Sequence, residues 1–199
     1  MKDKQHNVLI IGAGLAGLYA ALSLAPRPVT ILSPKPLGFD ASSAWAQGGV
    51  AAAMDEGDTP EAHANDTVIA GDGIVDADIA TFVTAAAKEH VLELVEVGTP
   101  FDRTKDGGFV MSKEAAHSFA RVVRVKGDQA GAAIMKTLVK EVSNTPSITV
   151  LQGATALDLI VEEGQMRGVV VSVDDEEPFV IQAKAYLMAA GGAGSLFMK

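Results

Sequence analysis

Residues Val8 to Gly17 read Val-Leu-Ile-Ile-Gly-Ala-Gly-Leu-Ala-Gly, four apolar residues running into three glycines spaced G-x-G-x-x-G. A short apolar run bounded by glycine predicts a buried strand, and the uncharged stretch Leu15 to Ala25 predicts a helix after the turn. Each glycine then has a mechanical task. Gly12 permits the tight turn, Gly14 lets backbone approach a pyrophosphate, and Gly17 lets the helix pack close to the sheet. The helix directs its first N–H groups and positive dipole end at the diphosphate. The break at Ala25-Pro26-Arg27-Pro28 precedes a second predicted strand, Val29 to Leu32, which completes a βαβ unit. A signal peptide or membrane anchor would also be uncharged, but the glycine spacing and the second strand favour a dinucleotide site over targeting.

The chain has 199 residues, 48% hydrophobic and 21% charged, which describes a globular protein with one good core. A net charge of −9 argues against nucleic acid or an anionic membrane as partner. The sequence contains no cysteine, which excludes disulfides, thiolate metal sites and a cysteine nucleophile. The histidines His6, His63 and His90 are scattered and read as surface or half-buried residues. With no metal-ligand spacing around them, no metal site is expected. A soluble, cytoplasmic protein is the expectation.

Three regions follow one another. The first is the βαβ unit, ending near Ser33. The second, Pro34 to about Asn144, reads as mostly helical. In it Asp78 is expected to cap a helix with apolar positions Ile79, Phe82, Val83 and Ala86, ending near Gly98. A hairpin-like piece surrounds Asp106-Gly107-Gly108, and a further helix spans Asp128 to Val142. The third region is β-rich, with strands at Ile148 to Leu151, Thr155 to Val161, Gly168 to Val173, Phe179 to Ala183 and Ala185 to Ala190. A meander placed before a last strand that rejoins a parallel sheet distinguishes FAD-binding Rossmann domains from plain NAD ones. The fold class is therefore α/β, a Rossmann-like FAD-binding domain with a parallel sheet, a β-meander insertion and a helical segment.

The end of the second strand lacks the carboxylate that usually holds an adenosine ribose about 20 residues after the glycines. The sequence there is Leu32-Ser33-Pro34-Lys35, and the nearest acid is Asp40. Ser33 and Lys35 remain as groups able to hydrogen-bond an FAD adenosine or phosphate. A second glycine cluster, Ala41-Ser42-Ser43-Ala44-Trp45-Ala46-Gln47-Gly48-Gly49-Val50, pairs hydroxyls with a Gly-Gly step. Such a backbone is suited to lie against a flat ligand and donate N–H groups to it.

With the first motif, this segment resembles the S-x-x-x-A-Q-G-G signature of the succinate dehydrogenase/fumarate reductase flavoprotein family, and within it the aspartate oxidase branch. Asp66 to Gly73 is similar to the family's D-T-x-x-A-G-x-G. Glu114-Ala115-Ala116-His117-Ser118 resembles the E-G-G-H-S of the aspartate oxidase branch, and Leu187 to Gly194 that branch's L-A-T-G-G-A-G. The resemblance implies oxidation of L-aspartate to iminoaspartate by FAD in NAD biosynthesis, with fumarate or oxygen as electron acceptor. It places Gly12, Ala13, Gly14, Leu15, Ala16 and Gly17 on the pyrophosphate, and Ser33 and Lys35 by the adenosine. Ser42, Ser43, Ala44, Trp45, Ala46, Gln47, Gly48 and Gly49 would line the flavin and ribityl chain. Ala156 would meet the adenine through its backbone, Gly191 belongs to the closing cofactor motif, and Glu114 would pair with the substrate ammonium. A serine at 42 stands where covalent members carry their flavin-linked histidine, so the implied FAD is non-covalent. Alanines 115 and 116 replace the family's two glycines, a change that costs about 1 kcal/mol or more at each position if the turn needs positive φ. The resemblance further implies an amino-terminal FAD-binding portion, residues 1–199, without the capping and helical domains that carry the main catalytic residues. A soluble fumarate reductase or succinate dehydrogenase flavoprotein, or an inert nucleotide-binding fragment, are the alternative readings.

Overall fold

The computed structural model describes residues 6–39, 41–174 and 176–192. Asp40, Asp175, and Ala193 and Gly194 of the closing motif lie outside the described residues. In chain order the elements are β1 (His6–Ile11), α1 (Leu15–Ser23), β2 (Val29–Ser33), β3 (Gly49–Ala51), α2 (Pro60–Ala70), α3 (Ala77–Glu96) and β4 (Met111–Ser112). They continue with β5 (Val122–Arg124), α4 (Ala130–Asn144), β6 (Ile148–Gln152), β7 (Ala154–Glu162), β8 (Gln165–Val173), β9 (Phe179–Ile181) and β10 (Ala183–Met188). The chain divides into two compact units, residues 1–44 with 135–199, and residues 45–134.

The first unit is built on a parallel sheet of order β10-β1-β2-β6, in which Val8 lies beside both Ala185 and Val29. Residues 8–11 of β1 and all of β2 are buried, as expected of parallel strands covered on both faces. The antiparallel meander β7-β8-β9 packs on this sheet through one cluster that joins Leu9, Ile11 and Leu32 to Val169, Val171 and Ile181. Glu163 and Gly164, with φ of 51° and 73°, form the two-residue left-handed turn between β7 and β8. The α/β fold with parallel sheet and meander is the one expected, with strand ends displaced by one to three residues.

The second unit departs further from expectation. It is not mostly helical, because β3, β5 and β4 form a small antiparallel sheet with Val123 between Val50 and Met111. Arg103 and Phe109 bridge across the expected hairpin at Gly107. Asp76, not Asp78, caps α3: its carboxylate accepts from the Asp78 and Ile79 amides while its own backbone stays extended. The proposed apolar face is also displaced. Ile79, Phe82 and Val83 are exposed at 59%, 74% and 56%, while the small or polar Ala80 and Thr84 are buried with Val91 and Leu94. Helix α2 begins at Pro60 behind the cap Thr59, whose hydroxyl accepts from the Ala62 amide at 3.1 Å. Among the described residues, no helix is long and apolar enough to cross a membrane.

Candidate cofactor site

The glycine loop is held in the shape its spacing implies. Gly12 turns with φ +112°, and its N–H donates to the Leu32 carbonyl at 3.0 Å. A Cβ on Gly12 would collide with the Ala189 carbonyl, and one on Gly17 with the Gly12 carbonyl, so both positions are closed by packing. Gly14 differs. A Cβ there would meet only the Ser43 hydroxyl at 3.6 Å, which leaves open space over the turn. Gly14 is the N-cap of α1, with no side-chain cap and no acidic residue in the first helical turn. The helix therefore presents unneutralised N–H groups to an anion. The Leu15 amide donates to Ser43 Oγ at 3.3 Å, which joins the two glycine-rich motifs across 28 residues.

The other expected contacts of this unit lie at or after the ends of β2 and β10, in a short 3-10 turn and within β7. Ser33 is buried at the end of β2, and its hydroxyl donates to the Lys35 carbonyl at 2.6 Å, which shapes the turn that leaves the Lys35 side chain exposed. Ser42 and Ala44 flank Ser43 in a short 3-10 turn, with Ser42 exposed and Ala44 half-buried. Ala156 is half-buried on β7 opposite Val171, at a register shift that bends the strand. Gly191 follows β10 in the left-handed region, exposed, with open space around it. Ala13 and Ala16 complete the glycine turn and the first turn of α1.

In the second unit Trp45, Ala46 and Gln47 are exposed, Trp45 at 80%. Gly48 follows with φ +80°, and Gly49 opens β3 against the Val123 carbonyl. The Glu114 carboxylate lies beside this segment: a Cβ on Gly48 would sit 3.6 Å from Glu114 Oε1. Glu114 is exposed at the start of a turn closed by the His117 amide donating to its carbonyl at 3.0 Å. Neither Ala115 nor Ala116 adopts positive φ, so the turn accepts alanine without the strain considered above.

Beneath that turn is a buried ionic cluster that the sequence reading did not assemble. Arg121 is 0% exposed; its Nε and Nη2 donate to both Asp58 oxygens and its Nη1 to Asp66 Oδ2, each at 2.8 Å. Asp66 also accepts from the Ser118 amide at 2.7 Å and the Ser118 hydroxyl at 2.6 Å. These two Ser118 hydrogen bonds, with Arg121, overcome burial and hold the Asp66 pKa down at about 2. Burial works against the Arg121 charge, but Asp58 and Asp66 outweigh it and raise its pKa. His63 is buried, deeper than the surface or half-buried position expected, its ring 5.5 Å from that of His117, and its pKa is lowered by burial and then by Arg121. Asp66 and Ser118 both stood in motifs quoted from the sequence, whereas Arg121 gave no signal beyond its place three residues after Ser118.

Residues 7–199 match the family described as FAD binding domain. The chain belongs to this family. It is 47% identical over 193 residues to the L-aspartate oxidase of Caulobacter vibrioides, covering 95% of this chain and 38% of that protein. It is 44% identical over 189 residues to the L-aspartate oxidase of Mesorhizobium japonicum, covering 95% and 37%. Among solved structures, E. coli quinol fumarate reductase superposes with a TM-score of 0.91 at 28% identity, over 99% of this chain and 34% of that one. The chain thus spans little more than a third of the length of the relatives it matches. FAD is the cofactor, and the open backbone at Gly14, the uncapped α1 and the adjoining Ser43 fit its diphosphate.

Proposed function

We propose that residues 1–199 are the FAD-binding domain of an L-aspartate oxidase, which converts L-aspartate to iminoaspartate. The 47% identity to the Caulobacter vibrioides enzyme carries this reading, together with a glycine loop whose geometry accepts a diphosphate. FAD bound there would supply the two-electron acceptor for a hydride from the substrate α-carbon, with fumarate or oxygen as the final oxidant. The chain's own part is to bind and orient. Residues 12–17 hold the diphosphate through backbone N–H groups and the α1 dipole. Ser33, Lys35 and Ala156 border the adenosine end, residues 42–49 border the flavin and ribityl chain, and Gly191 of the closing motif also borders the cofactor. Ser42 offers no imidazole for a covalent link, so the flavin is held non-covalently. Glu114, beside Gly48, supplies a carboxylate for the substrate ammonium.

A second reading, a fumarate reductase or succinate dehydrogenase flavoprotein, rests on the TM-score of 0.91 to the E. coli quinol fumarate reductase. A chimera separates the two. Residues 7–199 would replace the matching 38% of the Caulobacter vibrioides enzyme. The proposed function predicts that L-aspartate, without oxygen, bleaches the chimera's flavin. Bleaching by succinate and not by L-aspartate would overturn it. The 199-residue chain alone, loaded with FAD, should stay yellow with L-aspartate, and bleaching there would refute its role as a cofactor module.

A further inference from the structure

Residues 113–117 connect β4 to the Ser118–Arg121 stretch, with 113–116 exposed and His117 half-buried, yet they carry the carboxylate that lies beside Gly48. The turn is closed by a single backbone hydrogen bond, His117 to Glu114. Directly after it, Ser118 gives both its amide and its hydroxyl to Asp66, a buried residue of α2. Arg121 fixes that carboxylate from the other side and is itself clamped by Asp58, which adjoins the α2 cap and accepts from the Thr59 amide at 2.9 Å. The Arg121 carbonyl accepts from the Ala52 amide at 3.0 Å, so the residue that holds Asp66 also ties to the strand beginning at Gly49. A buried ion cluster of this kind adds little net stability compared with apolar packing, and its better attested use is to fix one geometry.

We propose that Asp66 is a positioning residue for substrate selection. It anchors Ser118 and so holds the Glu114 carboxylate beside the Gly48–Gly49 backbone, where it recognises the ammonium of an aminodicarboxylate. This rests on the aspartate oxidase reading for the ligand, but the anchoring itself does not. Asparagine at 66 can keep the arrangement: its oxygen accepts from the Ser118 amide and Arg121, and its NH2 donates to the Ser118 hydroxyl. Alanine at 66 removes every one of these contacts, and Ser118→Ala removes only the hydroxyl bond.

The test has two arms. Amide hydrogen exchange on the FAD-loaded 199-residue chain should show faster exchange at residues 117 and 118 in Asp66→Ala, a smaller acceleration in Ser118→Ala, which keeps the amide bond, and Asp66→Asn near wild type. In the chimera, Ser118→Ala should raise the KM for L-aspartate about tenfold, Asp66→Ala by more, and Asp66→Asn by little, with FAD affinity unchanged. Unchanged exchange in Asp66→Ala overturns the anchoring. Faster exchange with an unchanged KM overturns the selection role, as does equal loss of FAD affinity, which would mark a general structural role. A wild-type chimera bleached only by succinate defeats the aspartate reading and with it the selection role, and the exchange arm then decides the anchoring alone.

Discussion

Replacing Gly14 with alanine should separate cofactor binding from stability. Gly14 keeps an ordinary φ of −78°, and a Cβ there meets only Ser43 Oγ at 3.6 Å, a normal contact. Two small terms oppose each other. Alanine is a poorer N-cap than glycine by about 0.5–1 kcal/mol, and it lowers the entropy of the unfolded chain by a similar amount. The melting temperature of the FAD-free Gly14→Ala chain should therefore stay within about 2 °C of wild type. The methyl group occupies the space through which a diphosphate reaches the amides of α1, so FAD affinity should fall at least about tenfold, 1.4 kcal/mol or more. Gly17→Ala is the contrasting control. Its Cβ would run into the Gly12 carbonyl, so it should cost about 1–3 kcal/mol of stability even without FAD. Thermal melts and flavin titrations on the same samples check both. Wild-type FAD affinity in Gly14→Ala would refute the assignment of this backbone to the diphosphate.

Other consequences follow from the buried cluster and from Trp45. Arg121→Met leaves Asp58 and Asp66 facing each other without a cation, and should cost about 3–5 kcal/mol in urea unfolding. Asp66 has a folded-state pKa near 2, below its ordinary 3.8, so its contribution is complete above about pH 4 and is lost as pH falls toward 2. His63 has a lowered pKa, so the unfolded chain binds the extra proton and a separate loss of stability begins as pH drops below 6.5. Urea melts across pH 7 to 2 should show the acid-end loss in wild type and not in Asp66→Asn. Trp45, the sole tryptophan, is 80% exposed beside the Gly48 segment, and its fluorescence should be quenched as FAD binds.

The parts of the fold legible in the sequence are those whose cause is local. Strand β1, its glycines, α1 and β2 are adjacent, and the constraint at Gly17 is steric against the Gly12 carbonyl five residues before it, whereas Gly12 is closed by the distant Ala189 carbonyl and was legible only through its place after the strand. The β7–β8 turn at Glu163-Gly164 is local in the same way. The small sheet of the second unit was not, because strands of two or three residues have no readable period and Gly49 pairs with Arg124, 75 residues away. On α3 the apolar residues Ile79, Phe82 and Val83 suggested a core face, but the helix buries alanine and threonine against its neighbours instead. Arg121 was invisible because a charge in sequence reads as solvated; only the fold brings Asp58 and Asp66 around it.

Ser42, standing where covalent members carry a flavin-linked histidine, predicts that this chain holds FAD without a covalent bond. The most direct measurement is to saturate the purified chain with FAD, separate it from free flavin by gel filtration, and then precipitate the protein with acid. One flavin per chain that elutes with the native protein and leaves it entirely on precipitation is the expected result. A chain that elutes colourless, or a flavin that stays in the precipitate, would contradict the account.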